Sequence, residues 1–294
     1  MRSIVGLWVL VMGCPFVYAG EADDAISEAA ATVGADPEEW EKPIPLCIGL
    51  DYVLVSDYIF RGINYSEYSG EGRERLNHQV TAWAEVDTGC AGTVGGYLWF
   101  EFYDGLRHIL EDPPNRLYEV DYALYWRHAF EPIGTTVELG FAMYDYPHIS
   151  GSAGQTCEAW LKLTFDDSGL FGTEEPVLNP MLGYWRDVND IEGGWLELSI
   201  RHPFALAVFT VTQSLALGVD HEYLGKALGT GNRATQFGNL TVGLEVAYDL
   251  GGALGLPAWS GGVTLAGFMF RSIALEEDLL NDEFWGGLKV SWSW

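Results

Sequence analysis

The chain has 294 residues, of which 48% are hydrophobic, 14% aromatic and 19% charged, and its 42 acidic side chains against 15 Lys+Arg give a net charge of −27. That apolar content excludes a chain disordered throughout, and the acidic excess excludes a nucleic-acid binder, which needs clustered Lys and Arg to displace phosphate counterions. The 36 glycines beside 12 Trp, 15 Tyr and 14 Phe mix backbone-only residues with large rings to an unusual degree.

The first predicted element is an export signal over residues 1–19. Arg2 supplies a short positive region, Ile4 to Val11 an apolar stretch, and Val17-Tyr18-Ala19 a small-x-small cleavage pattern before Gly20. Val11-Met12-Gly13-Cys14 offers a second reading, a lipoprotein signal that would retain a lipidated Cys14, although Met12 stands where a small residue is usual. Residues 20–45 form an acidic, flexible arm, with Glu21, Asp23, Asp24, Glu28, Asp36, Glu38, Glu39 and Glu41 against Lys42, ending in a Pro43-Ile44-Pro45 hinge. After the signal no apolar run reaches the roughly 18 residues of a membrane-spanning helix, so the exported chain is either soluble or crosses a membrane as strands.

Residues 46–294 carry a hydrophobic period of two, which assigns alternate side chains to opposite faces of a strand. In 117–130 one face reads Tyr118, Val120, Tyr122, Leu124, Trp126 and the other Glu119, Asp121, Ala123, Tyr125, Arg127; segments 157–165 and 240–249 repeat the pattern. About twelve strands are expected, near 47–62, 76–87, 94–104, 116–130, 135–147, 155–166, 176–187, 194–202, 205–219, 238–250, 258–271 and 284–294. An even count, with longer connections on one side than on the other, predicts an all-β, transmembrane, antiparallel up-and-down barrel, its short turns periplasmic and its long loops extracellular. The connection 167–175 is long for the short side. The last strand alternates Leu288, Val290, Trp292 and Trp294 with Lys289, Ser291 and Ser293. An aromatic in that final position is the kind of signal by which barrel-assembly machinery selects its clients. Rings are expected toward lipid and its interfaces, and small residues and carboxylates toward the lumen.

A basic residue facing lipid at midplane costs roughly 2–4 kcal/mol, so the charged faces should point inward. The pore-lining candidates are Asp51, Asp57, Arg61, Glu85, Glu101, Glu119, Asp121, Arg127, Glu138, Glu158, Lys162, Glu197, Arg201 and Glu245, with Asp187 and Lys289 in the same phase. Asp57 and Arg61 read equally as partners in structural ion pairs. Carboxylates outnumber bases about two to one in this set, which lowers the energy of cations in a pore and raises that of anions. The expected function is a porin-like outer-membrane channel for passive, cation-preferring passage of small solutes. The competing reading is a secreted or periplasmic β-sandwich that binds carbohydrate or calcium.

No His-Glu-x-x-His, Gly-x-Ser-x-Gly, Cys-x-x-Cys or phosphate-binding loop occurs, so neither an enzyme nor a cofactor or metal site is expected. Residues 187–193 are oxygen-rich but misplace the glycine and the bidentate glutamate of a calcium loop. Cys47 opens the first strand and Cys90 lies in the turn after the second, so antiparallel pairing predicts a Cys47–Cys90 disulfide and leaves Cys157 alone.

Ser56-Asp57-Tyr58-Ile59-Phe60-Arg61-Gly62 closely resembles the Ser-Asp-Tyr-x-Phe-Arg-Gly signature of bacterial outer-membrane porins of the TorF type. Further similarity lies at Tyr118-Glu119-Val120-Asp121-Tyr122, at Glu138-Leu139-Gly140, at Tyr144-Asp145-Tyr146-Pro147, at Glu158, at Asn179-Pro180 and at Tyr184-Trp185-Arg186-Asp187. The resemblance spans about residues 50–294 and implies a membrane barrel without naming a solute. The signature falls on the first predicted strand, with Asp51, Asp57 and Arg61 on one face and Tyr52, Leu54, Tyr58 and Phe60 on the other. The acidic arm, Cys47, Cys90 and Cys157 fall outside it.

Overall fold

The computed structural model describes residues 44–66, 76–103, 117–147, 154–231 and 234–294; the export signal and the arm to residue 43 lie outside them. Fourteen strands follow in chain order: β1 (Leu46–Val55), β2 (Ile59–Phe60), β3 (Ile63–Asn64), β4 (Asn77–Asp87), β5 (Thr93–Tyr103), β6 (Leu117–Phe130), β7 (Thr135–Asp145), β8 (Gln155–Phe165), β9 (Met181–Asp187), β10 (Gly194–Leu206), β11 (Phe209–His221), β12 (Thr235–Asp249), β13 (Gly262–Ala274) and β14 (Glu283–Ser293). All but β2 and β3 pair antiparallel with their neighbours, and β1 closes on β14, giving a barrel of twelve strands. Closure leaves no unpaired sheet edge, so the backbone is satisfied without water.

The seam runs from Gly49↔Ser293 to Val55↔Gly287. It is extended by Ile48 N–H to Trp294 O at 2.9 Å and Trp294 N–H to Ile48 O at 2.8 Å. The end of the barrel where β1 starts and β14 finishes is called the near end below, and the opposite end the far end. Period-two alternation sorts the faces as expected: Leu50, Leu98, Leu124, Leu139, Phe141 and Leu288 stand exposed on the outside, whereas Asp51, Glu101, Asp121, Glu138 and Glu158 are buried inside. An outward band of this kind is at home only in lipid, which makes the barrel a transmembrane one.

Several strand limits differ from the sequence reading. β10 runs through Pro203 to Leu206, so the turn is Ala207-Val208 and not 203–204. Pro203 is tolerated because β9 pairs with β10 only as far as Ser199. The N–H of Arg201 already points to that side, toward Leu178 O, so the missing N–H of Pro203 faces the stretch that β9 no longer covers. β9 begins at Met181, and the long near-end connection before it folds on Asp167, whose carboxylate accepts the N–H groups of Val177 and Leu178. A bulge between β5 and β6 at Glu101/Phe102 shifts the register and turns Tyr118, expected toward lipid, in against Tyr58.

The larger correction concerns the rings. Trp83, Trp99, Trp185, Trp195 and Trp285 are buried inside the barrel, as are Tyr97 and Tyr144, and they join Tyr125 and Trp160, whose strand phase already set them with the charged face. Several lie flat over a glycine of the neighbouring strand: Trp83 pairs with Gly49, Tyr125 with Gly95, Trp160 with Gly140 and Phe270 with Gly243. Twelve strands enclose a bore wide enough for large side chains, and the glycines supply the room that keeps the indoles against the wall. Outward aromatics remain at the near-end rim, where Trp126, Trp292 and Trp294 donate their indole N–H to the carbonyls of Ala91, Ser260 and Trp259.

Candidate functional site in the barrel interior

The Ser56–Gly62 signature does not continue the first strand. β1 ends at Val55, and the chain makes its last bonds to the wall where Ser56 N–H meets Gly286 O and Gly286 N–H meets Ser56 Oγ. It then turns into the bore as the small β2–β3 hairpin, paired Ile59↔Asn64 and Phe60↔Ile63. The turn residues Arg61 (φ 53°) and Gly62 (φ 81°) both lie in the left-handed region, which is the type I′ geometry that suits a two-residue hairpin. Tyr58 and Phe60, expected on the lipid face, are consequently buried in the interior, as are Ile59, Arg61 and Ile63. Alternation alone could not find this excursion, because a hairpin that turns inside a barrel buries both of its faces; the Arg-Gly turn pair was the available signal.

The hairpin is tied to opposite walls. Arg61 donates to both carboxylate oxygens of Glu158 on β8, at 2.5 and 2.9 Å, and Glu158 also accepts the Tyr144 hydroxyl at 2.9 Å. Asn64 Nδ2 donates to Glu283 on β14 at 3.1 Å, and Ile59 packs in one cluster with Val53, Val55, Phe268, Phe270 and Trp285 on β1, β13 and β14. In the ring of twelve strands β8 and β14 are diametrically opposed, so the hairpin crosses the bore. Tyr58 adds a third tie, its hydroxyl donating to Glu119 on β6 at 2.8 Å. Tyr223 and Leu224, held by the Asp220 carboxylate through their N–H groups, and Leu280 pack with Tyr58, Phe60 and Ile63 in a second buried cluster. These described side chains pack together in the far half of the bore.

The near half holds three ion pairs on the walls. Arg127 reaches Glu85 at 2.9 Å, Lys162 reaches Glu138 at 3.2 Å, and Lys289 reaches Glu245 at 3.0 Å. Glu85 also accepts the Tyr125 hydroxyl, and Glu138 the Trp160 indole N–H. Glu197 is buried on the inner face of β10, with Arg201 four residues toward the near end. The remaining acids are less well matched. Glu101, which faces Gln79, Asp121, which faces Glu119, and Asp51 and Asp57 are all buried, and among the described residues none of the four forms an ion pair with a base. Gln79, paired across from Glu101 on β4, is buried with its side chain toward that carboxyl. The interior is therefore carboxylate-rich beyond its bases, in surroundings where an unmatched negative charge is costly.

One sequence expectation differs from the geometry. No disulfide joins Cys47 to Cys90. Cys47 packs against the interior cluster opposite Glu85, whereas Cys90 stands exposed in the Gly89–Ala91 turn beyond the end of β4. Antiparallel pairing brought the strand ends together but pointed the two thiols apart. In the oxygen-rich loop at 187–193, Asp187 accepts the N–H groups of Asn189, Ile191 and Glu192 and the Thr156 hydroxyl. Among the described residues no group of three His, Cys, Asp or Glu side chains is arranged to hold a metal.

No protein-family model matches the sequence, and a search of the curated proteins finds no match. Solved structures with a similar barrel include a KdgM porin in complex with disordered oligogalacturonate, at 10% identity over 84% of this chain and 99% of that one, with a TM-score of 0.45. The COG4313 outer membrane channel from Pseudomonas putida F1 is similar at 8% identity over 89% of this chain and 100% of that one, with a TM-score of 0.46. NanC porin is similar at 9% identity over 83% and 98%, with a TM-score of 0.45.

Proposed function

We propose that the chain is a porin-like channel of the bacterial outer membrane, that it passes small solutes passively and prefers cations, and that the conformation described is its closed state. The observation that carries this reading is the contrast between the two faces: an apolar exterior around an interior in which Glu101, Asp121, Asp51 and Asp57 remain after the wall's bases are paired. Once the open bore is wetted these carboxyls ionise, and the field of such a wall favours cations at close quarters. Conduction then requires the β2–β3 hairpin to shift, since its bonds to Glu158 and Glu283 tie it to opposite walls. The Ser56–Gly62 signature supports membership of the TorF type, export through the signal over 1–19 brings the chain to the outer membrane, and β14, with Leu288, Val290, Trp292 and Trp294 outward, is the strand that assembly machinery would read. Carbohydrate or calcium binding by a soluble β-sandwich has no support in a closed barrel with an apolar exterior.

Reversal potentials of the purified protein in planar bilayers under a salt gradient test the proposal. The expected sign is that of cation preference. Anion preference would overturn the selectivity, and a protein that fractionates as soluble without detergent would overturn the membrane channel altogether.

A further inference from the structure

Arg61 is a cation lodged in a cage that the barrel builds. Its guanidinium meets Glu158 through two hydrogen bonds, and its Cζ lies 4.3 Å from the Tyr223 ring centroid, 4.6 Å from Phe60 and 5.9 Å from Trp195. Only Phe60 belongs to the hairpin; the carboxylate, the Tyr144 hydroxyl that steadies it, Trp195 and Tyr223 belong to the walls and the β11–β12 connection. We propose that these wall groups are a binding site for guanidinium-bearing solutes and that Arg61 is its tethered occupant, which such a solute displaces when the hairpin withdraws. The site rests on the channel reading for its consequence, a permeant class, but its occupancy can be measured without any conduction.

Guanidinium fits this cage better than ammonium does. A planar fork matches a carboxylate with two parallel hydrogen bonds and stacks on aromatic faces, whereas an ammonium is a compact, strongly hydrated point charge. The same barrel illustrates the difference: Lys162 pairs with Glu138 at 3.2 Å and keeps 5.7 and 5.8 Å from the Trp160 and Trp185 rings. Arg61 also occupies a left-handed backbone position that favours Gly or Asn, so the cage retains it against local strain. A tethered occupant of this kind acts at an effective concentration on the order of millimolar. It masks the site from free solutes in the intact chain and unmasks it when removed.

The test is calorimetric titration of the full chain in detergent with guanidinium ion, with urea as the neutral isostere. Arg61→Ala is expected to bind guanidinium at least tenfold more tightly than the unaltered chain and to show no heat with urea; adding Glu158→Gln should abolish the binding. Arg61→Lys, which keeps the hairpin's charge without the fork, gives the same comparison should the alanine variant not fold, and is expected to yield to guanidinium as well. Equal affinity in the altered and unaltered chains, or binding that survives Glu158→Gln, overturns the proposal. The same variants in planar bilayers separate the two readings. Guanidinium binding without any conductance defeats the channel alone, and conductance without guanidinium binding defeats the site alone.

Discussion

An added Cβ at Gly140 would stand 2.0 Å from the Trp160 ring, which leaves no room for it unless the indole swings into the bore. Trp160 cannot do so freely, because its N–H is bonded to Glu138. Gly140→Ala is therefore expected to destabilise the barrel by about 1–3 kcal/mol, the usual cost of overpacking a filled interior. Gly169, in a near-end helical turn with open space around its Cα, is the control: Gly169→Ala should leave stability unchanged. Urea unfolding of both variants in micelles reads the comparison, and an equal shift would show that the ring over Gly140 is not fixed. The abundance of glycine beside aromatics was visible in the composition. Its cause was not, because rings could equally have faced lipid; only the cross-strand register places each indole over its glycine.

The connection between β13 and β14 offers an element with its own pH dependence. Asp282 accepts the N–H of Ala274 and pairs with Arg271 at 3.1 Å, and these two partners, the backbone N–H first, hold its carboxyl below the usual aspartate value of 3.8. A carboxylate held low in the folded state stabilises the fold above its unfolded value and loses that contribution as pH falls through the folded one. Hydrogen exchange at the Ala274 amide should thus stay slow at neutral pH and quicken only below about pH 4, with Asp282→Asn already fast at neutrality. Exchange in the unaltered chain that rises between pH 8 and 5 would contradict the assignment. At the same scale, the alternation from Leu46 to Val55 was legible as a strand, but nothing in it marks Ser56 as the place where the chain leaves the wall. That departure depends on Gly286 and Glu158, which are 230 and 102 positions further along the chain.

For the whole molecule, the β2–β3 hairpin is tied to opposite walls of the bore, and under the channel proposed above it sets what can pass. Excising residues 57–65 and rejoining the ends is expected to leave a closed barrel, because the hairpin contributes no bond to the β1–β4 or β1–β14 ladders. Its single-channel conductance should rise severalfold, while heat modifiability on an unboiled gel is retained. A deletion variant that folds and conducts no better than the unaltered chain would place the constriction elsewhere, at Tyr223, Leu224 and Leu280. Strand number, outward apolar face and inward carboxylates all followed from the sequence, since a period of two is a local property that survives any closed antiparallel arrangement. The inward tryptophans, the separation of Cys47 from Cys90 and the cage around Arg61 were decided only by the tertiary structure. Each depends on which residues the barrel's closure brings face to face across the bore, and that distance has no counterpart along the chain.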